Sequence, residues 1–255
     1  MWLDGTVTSS GLVAVTDLLA GIYMAQPFYG LVARDIENNN ATAYADIENQ
    51  FKLLYTNAFD NTTKLLKHGY FDRAAPTSVS RPVWADTVTG ACPHVWDRAV
   101  GWYVMALADL LTGPDAIPTS TSAYSTLLTQ FRQLIPALVT TADPSTGAWW
   151  LVLTAVGRSG NYLESSGTSM FVYAMLKAVT SGLVPDSNGA IRAAAIKAYN
   201  WLATKAVIQN SDGTLNFDLT VNVGSLGSNG TFEYYIAQVR QMPGHLPVAS
   251  AHKFS

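Results

Sequence analysis

Apolar residues in this chain recur with the period of a helix and with almost no other. Tyr124, Leu127, Leu128, Phe131, Leu134, Ile135 and Leu138 fall at offsets 0, 3, 4, 7, 10, 11 and 14, one stripe along one helical face. Ala99, Trp102, Tyr103, Ala106, Leu107 and Leu110 make a second stripe, closed by Gly113-Pro114. Phe171, Ala174, Met175, Ala178 and Val179 make a third, stopped by Ser181-Gly182 and Pro185. Ile191, Ala194, Ala195, Ala198 and Leu202 make a fourth, and Phe51, Leu54, Tyr55 and Ala58 a fifth. A sixth covers about 22–37, where Pro27 is tolerable only in the first turn or as a kink.

The predicted helices pair as 22–37 with 43–59, 97–112 with 121–142, and 165–182 with 190–208, giving three αα-hairpins. The connections between pairs are long, 37 residues over 60–96 and 23 over 142–164. Long structured connections between compact helix pairs are usually functional. Short strands are expected inside them, at 66–71 and 148–154. Three hairpins joined by long loops correspond to half of a six-hairpin toroid, in which inner helices line a funnel and loops at one end build a site. On periodicity alone an irregular helical bundle stays open.

Composition removes several classes. Hydrophobic residues make up 49% of the 255 and charged residues 13%, which excludes intrinsic disorder. The formal charge of −3 offers no basic stripe for nucleic acid. A lone cysteine, Cys92, excludes an internal disulfide framework and a cysteine-based zinc site. Aromatics at 11% in a weakly charged, mildly acidic chain fit a sugar-handling protein. The apolar stretch 11–25 is too short to span a bilayer. It contains Asp17, and no basic residue precedes it, the first being Arg34, so it is not read as a signal peptide. No membrane association is expected. Sequons at Asn40, Asn61 and Asn229 lean toward secretion, with the cytoplasm as the alternative.

Generic catalytic motifs are absent: no GxSxG, HExxH, Walker loop or GxGxxG after a strand. The histidines His68, His94, His245 and His252 lack metal-ligand spacing, so no metal site and no cofactor is expected. Aromatic and charged residues gather instead at loop–helix junctions. Trp96-Asp97-Arg98 opens one helix, and Arg98 and Trp102, four apart, share a face. A Trp–Arg–Trp group at a helix mouth suits a sugar ring stacked on indole with its carboxylate on a guanidinium; two core tryptophans beside an ordinary cap fit as well. Asp97 is the cap or a first-turn acid. The segment 66–70 carries the imidazole of His68 on a strand-loop. Glu164 with Ser165 and Ser166 reads first as capping chemistry.

Trp2-Leu3-Asp4-Gly5 with Ile22-Tyr23-Met24-Ala25-Gln26-Pro27-Phe28 resembles the W-x-D-G-I-Y-M-A-x-P-F segment of glycoside hydrolase family 105, the unsaturated rhamnogalacturonyl hydrolases. His68-Gly69-Tyr70, Trp84-Ala85-Asp86, Trp96-x-Arg98-Ala99-x-Gly101-Trp102 and Glu164-Ser165-Ser166-Gly167-Thr168-x-Met170-Phe171 are similar to later blocks of that family, in the same order. Asn229-Gly230-Thr231-Phe232-Glu233-Tyr234-Tyr235 resembles its C-terminal block. Each block alone is weak, and the ordered set is specific. The resemblance implies an all-α (α/α)6 barrel with short β segments in its long loops.

It also implies an enzyme that removes the 4,5-unsaturated galacturonyl unit from pectin-derived rhamnogalacturonan oligosaccharides. Such an enzyme hydrates a vinyl ether: an acid protonates C4, water adds at C5, and the hemiketal opens to release the neighbouring rhamnose. One carboxyl working as acid and base is enough; the paired carboxylates of ordinary glycoside hydrolysis are not needed. By position, Asp4 matches the proton donor, Trp2 and Met24 match residues flanking the sugar pocket, and His68, Trp96, Arg98 and Trp102 match contacts to the unsaturated uronate. The implied partner is an unsaturated galacturonyl-rhamnose oligosaccharide, with no nucleic acid, acting as a monomer or weak homo-oligomer.

The chain departs from the family in three places. The family carries further hairpins before the Trp-x-Asp segment, so residues 1–255 are expected to form one (α/α)6 domain without its N-terminal hairpins. Residues 6–21 interrupt the segment with sixteen residues that have no counterpart; they read as a translated intron of a fungal gene, with a genuine loop insertion as the alternative. Residues 239–255 form an atypical tail. An inactive fragment that at most binds oligosaccharide, and an unsaturated glucuronyl hydrolase of a related six-hairpin family, are the competing functions.

Overall fold

A computed structural model describes residues 16–113 and 116–238. Its elements run β1 (Thr16–Leu18), α1 (Leu19–Asp35), α2 (Ala41–Ala58), β2 (Gly69–Phe71), α3 (Asp97–Leu111), α4 (Ser122–Thr141), β3 (Trp149–Trp150), β4 (Leu163–Glu164), α5 (Ser165–Thr180), α6 (Ala190–Trp201), β5 (Val207–Gln209), β6 (Leu215–Phe217) and α7 (Phe232–Ala237). The three hairpins are those the period predicts. Within the row, α1 packs on α3 and α3 on α5, while α2, α4 and α6 lie behind them, α2 on α4 and α4 on α6. This is an arc of two concentric helical layers.

Between the layers the apolar stripes meet. Tyr103, Phe131, Leu134, Phe171 and Met175 are fully enclosed, and Trp149 closes one end of the core. Side chains of this size contribute ~1.5–3 kcal/mol each when removed from water. The Tyr103 hydroxyl sits between the Phe51 carbonyl at 3.0 Å and Gln130 Oε1 at 2.8 Å, so this polar atom is satisfied within the core. The inner row approaches closely because Gly101 faces Met170: a Cβ there would lie 2.5 Å from the Met170 sulfur. On the concave side Asp109 of α3 ties all three inner helices together. It accepts from the hydroxyls of Tyr23 on α1 (3.3 Å) and Tyr173 on α5 (2.5 Å), and pairs with Lys177 on α5 at 3.5 Å.

Four expectations shift. The first helix starts at Leu19 rather than at 22, which places Pro27 in its interior, where it removes the amide that would bond the Tyr23 carbonyl. Residues 16–21, from the interrupting segment, form β1 and the first turn of α1; β1 pairs antiparallel with β2, and Leu19 is fully buried. The helix expected over 190–208 stops at Trp201, passes through a π-helical turn over Leu202–Ala206 and becomes a β5–β6 hairpin. β-branched Val207 and Ile208 and the Asp212-Gly213 turn, with Gly213 at φ 86°, end it. The strand expected at 148–154 is two residues long and pairs with Leu163–Glu164. No helix among the described residues is long and apolar enough to cross a membrane.

Candidate active site

Backbone hydrogen bonds lace together the N-terminal ends of the inner helices. Leu19 N donates to His68 O at 3.2 Å, and His68 N to His94 O at 3.1 Å. Leu153 N donates to Val95 O at 2.9 Å, Asp97 N to Leu151 O at 3.1 Å, and Leu151 N to Tyr162 O at 2.8 Å. Ser165 N donates to Leu219 O at 3.0 Å. The two long connections and segment 218–224 are thereby bound to the mouths of α1, α3 and α5. Residues far apart in sequence are delivered to one place.

That place is an aromatic and charged cluster. His68 is 1% exposed. Its Nδ1 is 2.7 Å from the Tyr235 hydroxyl, and its ring lies 4.6 Å from Trp96. Burial pulls the His68 pKa down to about 3, because the imidazolium would lose its hydration with no anion to replace it. Tyr235 stacks on Trp96 at 5.8 Å, and burial raises its phenol above the ordinary range. The edge of His94 meets Tyr235, and its Nδ1 is 3.0 Å from the Thr154 hydroxyl. The predicted site residues His68, Trp96 and Arg98 therefore meet. The indole of Trp96 is enclosed rather than open to a sugar. It is 2% exposed, and Gly224 lies so close that a Cβ there would be 2.7 Å from the ring.

Arg98 lies beside this cluster, 6.0 Å from the Trp96 ring centre. Its Nε donates to Ser166 Oγ at 2.7 Å. Nη1 donates to the Asn222 carbonyl at 2.5 Å, and Nη2 to the Val221 carbonyl at 2.6 Å and to Glu164 Oε1 at 3.4 Å. Four of the five guanidinium N–H groups are thus engaged, and one on Nη1 remains. Trp96 Nε1 is a buried donor without a partner. The Arg98 N–H is the one the cluster offers to an anion or a hydroxyl; Trp96 Nε1 is enclosed with its ring.

Trp102 stands apart from the cluster. It lies one turn along α3, half-buried, 5.1 Å from Tyr23 on the concave face. Met24, next to Tyr23, is 53% exposed. Trp2 and Asp4 lie outside the described residues. No group of three or more metal-binding side chains occurs among the described residues. An open groove of about 390 Å³ between α2 and α4, lined by Lys52, Tyr55, Thr126 and Gln133 among others, lies on the outer layer and holds none of the predicted residues.

Two acidic residues meet beneath Arg98. Glu164 caps α5, its Oε2 accepting from Gly167 N at 2.6 Å, while Oε1 accepts from Ser166 Oγ at 2.7 Å and from Val221 N at 2.9 Å. Asp97 is the first residue of α3 and fully buried; the cap position itself falls to Trp96, which makes no side-chain cap. Asp97 Oδ1 accepts from Arg98 N at 2.7 Å, and Oδ2 has no partner. Burial, and then the charge of Glu164, raise the Asp97 pKa well above its usual value. Sequence reasoning placed Asp97 and Glu164 in capping roles and did not bring them together; no spacing rule links residues on different hairpins. Tyr235 was visible only as part of a block.

The model of glycosyl hydrolase family 88 matches residues 1–249. The chain belongs to that family. A curated protein from Rhizobium radiobacter named "24.9 kDa protein in picA locus" is 32% identical over 163 residues, which cover 61% of this chain and 67% of that protein. A solved family 105 glycoside hydrolase from C. acetobutylicum ATCC 824 is 35% identical with a TM-score of 0.77, covering 88% of this chain and 59% of that one. A structure described as a possible family 105 member from Salmonella enterica is 21% identical with a TM-score of 0.68 over 93% of this chain and 55% of that one, a likeness of fold. These findings bear out the resemblance to family 105 and the (α/α)6 barrel. The chain spans a little over half of the solved chains it matches.

Proposed function

We propose that this family 88 member is a glycoside hydrolase that removes a 4,5-unsaturated galacturonyl unit from rhamnogalacturonan oligosaccharides by hydrating the C4=C5 double bond. The observation that carries this reading is the one N–H that Arg98 Nη1 keeps free at the mouth of the inner helices. A uronate needs a cation for its carboxylate and donors for its hydroxyls. Arg98 supplies field and one N–H, while Trp102 with Tyr23 gives a half-exposed aromatic face one turn deeper. The 35% identity to a family 105 enzyme over 88% of the chain supports the unsaturated-sugar class. In this reading Asp4 is the acid that protonates C4.

The test uses an unsaturated galacturonyl-rhamnose disaccharide and follows loss of absorbance from its double bond. Asp4→Asn is expected to slow turnover by about 10²–10⁴-fold, the usual worth of a positioned acid–base group. Turnover unchanged in Asp4→Asn removes Asp4 from the chemistry, and no turnover by the parent chain counts against the hydrolase reading.

A second reading has one observation in its favour. The near-complete engagement of Arg98 leaves no two-pronged contact for a carboxylate. A domain that binds oligosaccharide without hydrolysing it needs no such fork. Binding of the disaccharide without loss of its absorbance is the outcome that favours this reading.

A further inference from the structure

Two buried carboxyls and one guanidinium meet where α3 and α5 begin, and their hydrogen bonds are divided unequally. Glu164, 0% exposed, accepts from Gly167 N, Val221 N, Ser166 Oγ and Arg98 Nη2. Asp97, also 0% exposed, receives nothing from the guanidinium. Its side chain accepts one backbone amide through Oδ1, and its Oδ2 is unpartnered and pressed toward Gly167, where a Cβ would lie only 2.3 Å away. A buried carboxylate in that position would be an uncompensated charge beside another one. A carboxylic acid there has the same shape and no charge, and its O–H can donate to the Glu164 carboxylate beside it.

We propose that Asp97 works as the neutral acid, and that the Asp97–Glu164 pair, carrying one proton and one negative charge, is the positioning unit that holds Arg98 at the sugar-binding mouth. Because Asp97 is uncharged, the single negative charge of Glu164 is balanced by the single positive charge of Arg98. The guanidinium is then held between Glu164, Ser166 and the carbonyls of Val221 and Asn222, with one Nη1 N–H left over. The groups facing Asp97 are Glu164 from the start of α5, Arg98 on its own helix, and the buried, unpartnered hydroxyl of Tyr162. The α3 dipole favours a charged Asp97, but it is opposed by complete burial and by Glu164. Only what Arg98 faces rests on the galacturonyl reading; the protonated pair does not.

Asp97→Asn copies the neutral acid in shape and charge, and Glu164→Gln removes the counter-charge. Three readouts separate the roles in the full chain. Infrared difference spectra of the parent at neutral pH are expected to show a protonated-carboxyl band that Asp97→Asn abolishes. A carboxyl whose folded pKa is raised stabilises the fold less as pH rises above about 4, so Asp97→Asn is expected to gain urea stability relative to the parent as pH rises from 4, the opposing contribution of His68 being common to both. Calorimetric titration with unsaturated galacturonyl-rhamnose is expected to give Asp97→Asn the parent's affinity within about threefold, and Glu164→Gln a loss of about tenfold or more, the usual result of removing one partner of a buried charge pair. A folded Asp97→Asn that loses affinity as Glu164→Gln does, or that keeps the infrared band, overturns the neutral-acid assignment. Spectral and stability signatures as expected, with no disaccharide binding by the parent, overturn the positioning role at a uronate site and with it the galacturonyl reading, leaving the pair a structural one.

Discussion

The Nδ1 of His68 lies 2.7 Å from the Tyr235 hydroxyl, joining residues 167 positions apart in sequence. One comes from the loop before α3 and the other from α7, and both rings pack on Trp96. The contact packs both residues at the start of α3 and leaves His68 buried, where it cannot take a proton cheaply.

That placement gives a pH dependence with a definite sign. The folded-state pKa of His68 is about 3, against about 6.5 in an unfolded chain. The unfolded chain therefore gains a proton that the folded one refuses. The stability from this group is complete above pH ~6.5 and is lost as pH falls toward 3, by about 2 kcal/mol at pH 5. Urea denaturation at pH 7 and pH 5 is expected to show the parent losing stability relative to His68→Gln as pH falls, the opposing contribution of Asp97 being the same in both proteins. Equal slopes in the two proteins show that His68 does not carry the acid sensitivity.

Arg98→Lys is expected to loosen segment 218–224. A lysine ammonium is a single point and cannot bond Ser166, Val221 and Asn222 from both edges as the guanidinium does. The buried Val221 carbonyl loses its partner, at a cost of about 1–3 kcal/mol. Limited proteolysis is the sensitive readout: cleavage within 218–224 appears in Arg98→Lys and not in the parent. A variant as resistant as the parent shows that the segment is held by its other bonds.

Gly101→Ala tests how closely α3 and α5 meet. The new methyl lands on the Met170 side chain, 2.5 Å from sulfur and 2.9 Å from its Cβ. The terminal sulfur can swing away, but the Cβ moves only with the backbone. Overpacking of this kind costs about 1–3 kcal/mol. A thermal melt is expected to fall by several degrees, and Met170→Ala in the same chain is expected to recover part of the loss. No fall in the melt would mean the helices separate without penalty.

The two ends of the arc expose apolar side chains. Met24 and Phe28 on α1 are 53% and 68% exposed, and Tyr199 and Leu215 at the α6 and β5–β6 end are 60% and 66% exposed. Exposed apolar patches drive association. Sedimentation velocity is expected to show a larger species that grows with concentration, and Met24→Ser with Phe28→Ser is expected to shift the distribution toward monomer. A parent that stays monomeric at every concentration shows these faces to be tolerated in water.

The three hairpins are legible in the sequence. A 3.6-residue period depends only on which side chains avoid water, and Gly113-Pro114 and Ser181-Gly182 mark where it breaks. The β5–β6 hairpin was hidden because Leu202 continues the apolar stripe of α6, and the hairpin's partner strand lies beyond the window that periodicity examines. The ordered blocks around His68, Trp96 and Arg98 pointed to the mouth of the inner helices, where these residues do meet.

Composition and spacing could not decide how those side chains are used. The enclosure of Trp96 by Tyr235 and Gly224, the commitment of four Arg98 N–H groups, and the meeting of Asp97 with Glu164 all require segments from different hairpins to arrive at one point. Burial is what gives the meeting its chemistry. The same Asp97 in water is an ordinary carboxylate, and only the loss of solvent beside a second carboxyl keeps it an acid. Sequence alone determined the helices, their pairing and the family; the tertiary structure decided which polar groups are satisfied, which remain free, and which carry a proton.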